Sequence, residues 1–388
     1  MEKSCPTGLF YLLLYCLMMI FQLALIFLTS LTGSNPVPGE VNTQRIVSLK
    51  DSITFYDGQG FSIIGKYHSE KNYVRFPEKF KKTLRKEVWE LGENSAGISI
   101  RFRTNASTIV VRWTVMNDAS LPHMPATGVK GIDLYTHSGG QWQYVKTGFP
   151  QGKNSERILL SQGDGTSREY LLNLPLYDGV ESLQIGINEN AVITKADKSL
   201  LLDKKPVVYY GTSIAQGGCA SRPGMAFTNI LSRHLDRTFI NFGFSGNGTI
   251  ETSVGEAMVE IDAALYVSDC NPNTKKELIY DRTMALVQML KKQRPDVPVL
   301  LVEGFLNEGN FFNPASGENQ SIEKKREELK RAYKDLKKSG VTNLYYQKGD
   351  GLIGKDHEGT VDGIHPNDVG MMRLAEGMAP LLKKILLK

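Results

Sequence analysis

Ser213 stands in the run Gly211-Thr212-Ser213-Ile214-Ala215-Gln216-Gly217-Gly218, directly after a short apolar stretch at residues 206–210. A serine in a glycine-rich turn between a strand and a helix presents its hydroxyl at a sheet edge, where it can attack an acyl carbon. The same position also suits a helix N-cap. Asp362 and His365 lie three apart in Asp362-Gly363-Ile364-His365-Pro366-Asn367. That step in a turn lets a carboxylate orient an imidazole, and the imidazole can then take a hydroxyl proton. Two loops between these supply donors. Gly243-Phe244-Ser245-Gly246-Asn247-Gly248 can turn backbone N–H groups into a cleft, or simply form a tight turn. Ser268-Asp269-Cys270-Asn271-Pro272-Asn273 offers two side-chain amides, although Asn-Pro-Asn is also ordinary turn chemistry. A nucleophile, a base, its orienting acid and donors for a developing oxyanion are the parts that acyl transfer requires. No Cys/His spacing of the zinc type accompanies them, so neither a metal nor another cofactor is expected.

These residues need a scaffold that holds loops side by side. Beyond residue 202 short apolar runs at 206–210, 239–242, 264–268, 297–302 and 342–346 alternate with helical patterns, the last of which follows Pro366. Such alternation predicts a parallel sheet covered by helices, with functional loops at the carboxyl ends of its strands. Residues 45–195 read differently. Ile98, Ile100 and Phe102 alternate with Ser99, Arg101 and Arg103, the period of a half-buried strand. Gly139-Gly140 between two further runs marks a hairpin. The expectation is an all-β sandwich over 43–195, a polar linker at 188–205, and an α/β region over 203–388.

In their order, Ser, Gly, Asn, then Asp-x-x-His, these loops resemble the SGNH or GDSL-type hydrolases over roughly residues 203–388. Asp362-Gly363-Ile364-His365-Pro366-Asn367 matches the last block of that family in full, and Asn241-x-x-x-Ser245-Gly246 its second. The first block departs, with Thr212 in place of Asp, and so does the third. Both variants resemble a subgroup of secreted bacterial esterases whose N-terminal β-domain carries Gly-x-Asp-Leu-Tyr. Here that signature is Gly131-Ile132-Asp133-Leu134-Tyr135, and Ala220-Ser221-Arg222-Pro223-Gly224 fits the same subgroup. The resemblance implies a flavodoxin-like α/β domain behind a jelly-roll-like sandwich. It makes Ser213 the nucleophile, His365 the base and Asp362 the orienting acid. The oxyanion donors would be the N–H groups of Ser213 and Gly246 and the amide of Asn273, with Asn271 as rival. It implies an esterase acting on O-acyl, foremost O-acetyl, groups of a small molecule or polysaccharide. The alternatives are an acyltransferase and a carbohydrate-binding protein with a vestigial site.

Elsewhere the chain excludes more than it proposes. Its 388 residues carry 46 Lys+Arg against 41 Asp+Glu, a net +5 with no basic stripe, so nucleic acid is not an expected partner. No charge occurs between Lys3 and Glu40, and residues 9–31 are almost wholly apolar. Residues 1–34 therefore read as a signal peptide or a retained membrane anchor, and either exports the remainder. Oligomeric state is not legible. Of four cysteines, Cys219 and Cys270 fall in the exported part, expected near each other in a 2-1-3-4-5 strand order, bridged or as two buried thiols. His357 reads as a solvated loop residue, and Phe305, Phe311 and Phe312 as core packing in preference to a wall for a sugar. Arg222 stays open between a substrate carboxylate and a local acid.

Overall fold

Alternating apolar residues form ten antiparallel strands in the first half of the chain. The computed structural model describes residues 52–196 and 204–387. The segment read as signal or anchor lies outside them, and no described helix is long and apolar enough to cross a membrane. The strands are β1 (Ile53–Asp57), β2 (Ser62–Ile64), β3 (Ser99–Thr104), β4 (Ile109–Val115) and β5 (Ile132–Ser138), followed by β6 (Gln141–Gly148), β7 (Asn154–Leu160), β8 (Arg168–Asn173), β9 (Val180–Asn188) and β10 (Ile193–Lys195). One sheet runs β1-β9-β4-β7, the other β10-β3-β8-β5-β6 with β2 beside β3. Ile100, Phe102, Val111, Trp113, Leu172 and Ile185 interleave between them in one core. The β5–β6 hairpin turns at Gly139-Gly140 as expected, both at positive φ. The expected linker is shortened by structure, because β10 pairs with β3.

The second half is a five-stranded parallel sheet: β11 (Val207–Gly211), β12 (Phe239–Gly243), β13 (Leu265–Asp269), β14 (Val299–Val302) and β15 (Leu344–Gln347). The order β12-β11-β13-β14-β15 is the predicted 2-1-3-4-5 arrangement, with Gly211 in register with both Gly243 and Asp269. Period two again sorts the side chains. Val208, Tyr210, Phe242, Tyr266 and Leu301 face one helical layer, and Val207, Tyr209, Phe239, Val267 and Leu300 face the other. Helices Thr252–Val259, Lys276–Gln293 and Glu318–Lys338 contribute to the first layer, Phe227–Leu235 and Asp368–Leu386 to the second.

Both cores reach into the antiparallel region. Phe76, Phe80, Val88 and Trp89 join the first, and Met124, Val129 and Leu176 the second. The half-buried strand predicted at β3 is therefore buried on both faces: Arg101 is inaccessible and pairs with Glu169. Its polar face is not a solvent face but a contact surface. Ser99, Asn173 and Asp133 lie opposite one another across β3, β8 and β5. Ser99 Oγ donates to Asn173 Oδ1 at 2.7 Å, and Asn173 Nδ2 donates to Asp133 Oδ1 at 2.8 Å. The other Asp133 oxygen accepts from Arg222 Nη1 at 2.7 Å and Gly224 N–H at 2.8 Å. Arg222 thus pairs with a local acid. The buried carboxylate requires such partners, since an unpaired buried charge costs several kcal/mol.

Asp133→Ala should lower unfolding free energy by about 3 kcal/mol, because it strands the Arg222 guanidinium and the Gly224 N–H. Denaturant unfolding checks this, and a loss below about 1 kcal/mol would mean water replaces the carboxylate without penalty.

Candidate active site

The loop after β11 places its serine through a cap. Thr212 is extended, and its Oγ1 accepts from Ile214 N–H at 3.4 Å, so Thr212 rather than Ser213 is the N-cap of helix Ser213–Gln216. The Ser213 hydroxyl is thereby left for another partner. It lies 2.9 Å from His365 Nε2, and His365 Nδ1 lies 2.7 Å from Asp362 Oδ2. Asp362 Oδ1 closes the turn by accepting from the N–H groups of His365 at 2.7 Å and Ile364 at 3.0 Å. Burial works to raise the Asp362 carboxyl, but the backbone and ring bonds of His365 outweigh it and hold the group below the usual range. An ionised Asp362 fixes the tautomer with Nδ1–H inward and the Nε2 lone pair toward Ser213.

Two other loops complete the cleft rim. After β12, Gly246 has φ +68, and a Cβ there would meet open space, so glycine is needed for the backbone and not for room. The fully buried Gln216 ties this loop to the serine helix: its Oε1 accepts from Ser245 N–H at 3.0 Å and its Nε2 donates to Leu176 O at 3.1 Å. After β13 the two candidate amides part company. Asn271 is spent on structure, donating to Glu303 O at 2.9 Å. Asn273 Nδ2 is buried with no partner, an unspent donor.

The Ser221 backbone and hydroxyl donate to the two oxygens of Asp368 at 2.9 and 2.5 Å. Since Asp368 follows His365 by three residues, this contact holds the histidine turn over the serine turn. Sequence reasoning missed it; its signal was the polar run beside Arg222. Also missed was His123, whose ring lies 5.6 Å from that of His365.

Phe305 is buried as expected, but Phe311 and Phe312 are exposed. Both rings meet His357 edge-on, at 4.8 and 5.9 Å. His357 is itself exposed. Cys219 and Cys270 are buried free thiols. Ile214, Pro272, Phe305, Ile364 and Met378 line a cavity of about 40 Å³ together with Thr212 and Asp269; Thr212 and Ile214 flank Ser213 in sequence, but Ser213 itself is not in the lining. Burial pushes the Asp269 carboxyl up to about 7, against the opposing Tyr209 hydroxyl that donates to it at 2.8 Å.

A carboxyl raised in the folded state stabilises most below its unfolded pKa, and that contribution is lost as pH climbs through the folded value. Asp269 should therefore cost stability between about pH 4 and about pH 7, a loss that Asp269→Asn removes while keeping an acceptor for Tyr209. Melting temperatures of both proteins across this range decide the matter: parallel curves would mean that Asp269 is ionised throughout.

The chain matches the GDSL-like lipase/acylhydrolase family over residues 204–383 and the N-terminal region of SGNH-hydrolase-type esterases, named for Gly-x-Asp-Leu-Tyr, over 53–193. A GDSL-like lipase from Bacteroides ovatus is 38% identical, with 87% of this chain and 98% of that chain covered and a TM-score of 0.83. The salicylyl-acyltransferase SsfX3 of a tetracycline biosynthetic pathway shares the fold at 17% identity and TM-score 0.64, over 86% of this chain and 94% of that one. A family two carbohydrate esterase from Cellvibrio japonicus does so at 12% and 0.56, over 87% and 98%. No curated protein sequence matches significantly.

Proposed function

The chain belongs to the GDSL-like lipase/acylhydrolase family, and from that membership we propose that it is an exported serine esterase removing O-acetyl groups from a carbohydrate. The observation that carries this reading is the unbroken chain from Ser213 Oγ through His365 to Asp362 at 2.9 and 2.7 Å. His365 Nε2 takes the hydroxyl proton as Oγ attacks the ester carbon. The same imidazole, now charged and stabilised by Asp362, returns the proton to the leaving alcohol. Water then repeats the sequence on the acyl-enzyme and releases the acid. The oxyanion takes hydrogen bonds from Ser213 N–H, Gly246 N–H and Asn273 Nδ2, and the unpartnered state of that last donor supports its place in the set.

Family two carbohydrate esterases share the fold, one of them solved in complex with cellohexaose, and this supports a saccharide as the alcohol part. The shared fold of a salicylyl-acyltransferase favours one other outcome, in which an acceptor alcohol replaces water at the second step.

Ser213→Ala should lower p-nitrophenyl acetate hydrolysis by at least about 10³-fold and abolish labelling by a covalent serine probe. Undiminished labelling would move the nucleophile elsewhere. Asn273→Ala should lower kcat by about 10²–10³ with KM nearly unchanged, whereas Asn271→Ala should appear in the melting temperature. Acetate released from acetylated polysaccharides tests the substrate class; transfer to an added glycan without acetate release would establish the acyltransferase instead.

A further inference from the structure

Acyl transfer uses one histidine, yet a second histidine and a thiol stand beside it. His123 comes from the turn between β4 and β5, Cys219 from the segment after the serine helix, and His365 from the turn before helix Asp368–Leu386. One ligating atom from each lies within 4.8 Å of the others. Cys219 holds φ +69, a region that non-glycine residues seldom adopt, and its Sγ lies 3.4 Å from His123 O. Strain of this kind persists only where the surroundings enforce it, and here it keeps the sulfur beside the histidines.

His365 is prepared as a ligand as well as a base. Its Nδ1–H is held by Asp362, and its Nε2 lone pair faces the Ser213 hydroxyl. An imidazole whose other nitrogen donates to a carboxylate is the usual form of a metal-binding histidine. Two imidazoles and a thiolate are a donor set for zinc-like cations, and Ser213 Oγ, 2.9 Å from Nε2 on its lone pair, must rotate away to admit one. His123 is exposed, so the cation has an entry path. We propose that His123, Cys219 and His365 form a binding site for a soft divalent cation, Zn²⁺ first among them, whose occupation takes the Nε2 lone pair from Ser213 and halts hydrolysis. On binding, the Cys219 thiol releases its proton to solvent, with no change of oxidation state. The inhibition arm rests on the esterase reading; the binding arm does not.

The test uses full-length protein stripped with EDTA. Cd²⁺ titration should produce a thiolate-to-metal absorption band saturating at a single ion per chain, absent from Cys219→Ala and retained in the inactive Ser213→Ala. Zn²⁺ should inhibit p-nitrophenyl acetate hydrolysis, reversibly with EDTA. His123→Ala and Cys219→Ser should keep the metal-free rate while raising the half-inhibiting concentration by at least about tenfold. Equal inhibition of wild type and both variants, or a band that survives Cys219→Ala, would overturn the site. A protein that gives the band but hydrolyses no ester would keep the site and overturn the esterase reading.

Discussion

A buried carboxylate must be surrounded by donors, and Asp133 meets that requirement with groups from both halves of the chain. Asn173 belongs to the antiparallel sheet, and Arg222 and Gly224 to the segment after the serine helix. Much of the site's geometry follows. Once that segment is fixed, Ser221 is placed to bind Asp368, and Asp368 in turn fixes the turn that carries His365. A second cross-connection runs through Arg75, wholly buried, which donates to the carbonyls of Asn94, Asn241 and Gly243 and so ties the chain ahead of β3 to the end of β12. The antiparallel sheets thus wall and brace the loops that carry Ser213 and His365.

Buried polar atoms without a hydrogen-bond partner occur in both brace and cleft. In the brace Ser99, Asn173 and Asp133 form a chain in which each acceptor has its donor, while Arg101 Nη1 and Trp142 Nε1 nearby have no hydrogen-bond partner. The cleft has its own unusual groups. Asn273 Nδ2 has no partner, Cys219 is held in a left-handed backbone, and Asp269 is a carboxyl in a place that disfavours its charge.

The parallel sheet was readable because strand and helix periods alternate cleanly and the Asp-x-x-His turn is local. Ser213, Asp362 and His365 could be singled out for the same reason: each sits at an element boundary where residue type is informative. Two kinds of feature were not readable. Burial of the polar face of β3 depends on what packs against it, and an alternating strand looks the same whether its polar side meets water or partners such as Asn173 and Glu169. His123 lies in a turn whose relation to His365 exists only in three dimensions, so spacing along the chain could not gather the His123, Cys219 and His365 cluster. Phe311 and Phe312 failed for a third reason. Apolar type says where a ring would be most stable, and loop geometry can deny it that place.

The hydrogen bonds that join Asp362, His365 and Ser213 differ greatly in span. Asp362 and His365 are three residues apart, and the turn joining them can close as soon as those residues meet. Ser213 and His365 are 152 apart, and their contact waits on the docking of a distant helix. Loop-closure entropy makes such long-range contacts late events in folding. A partly folded chain therefore holds the Asp362–His365 pair before Ser213 joins it. The three side chains stand in line only once the sheet and its last helix have come together, so their alignment is a marker of completed assembly.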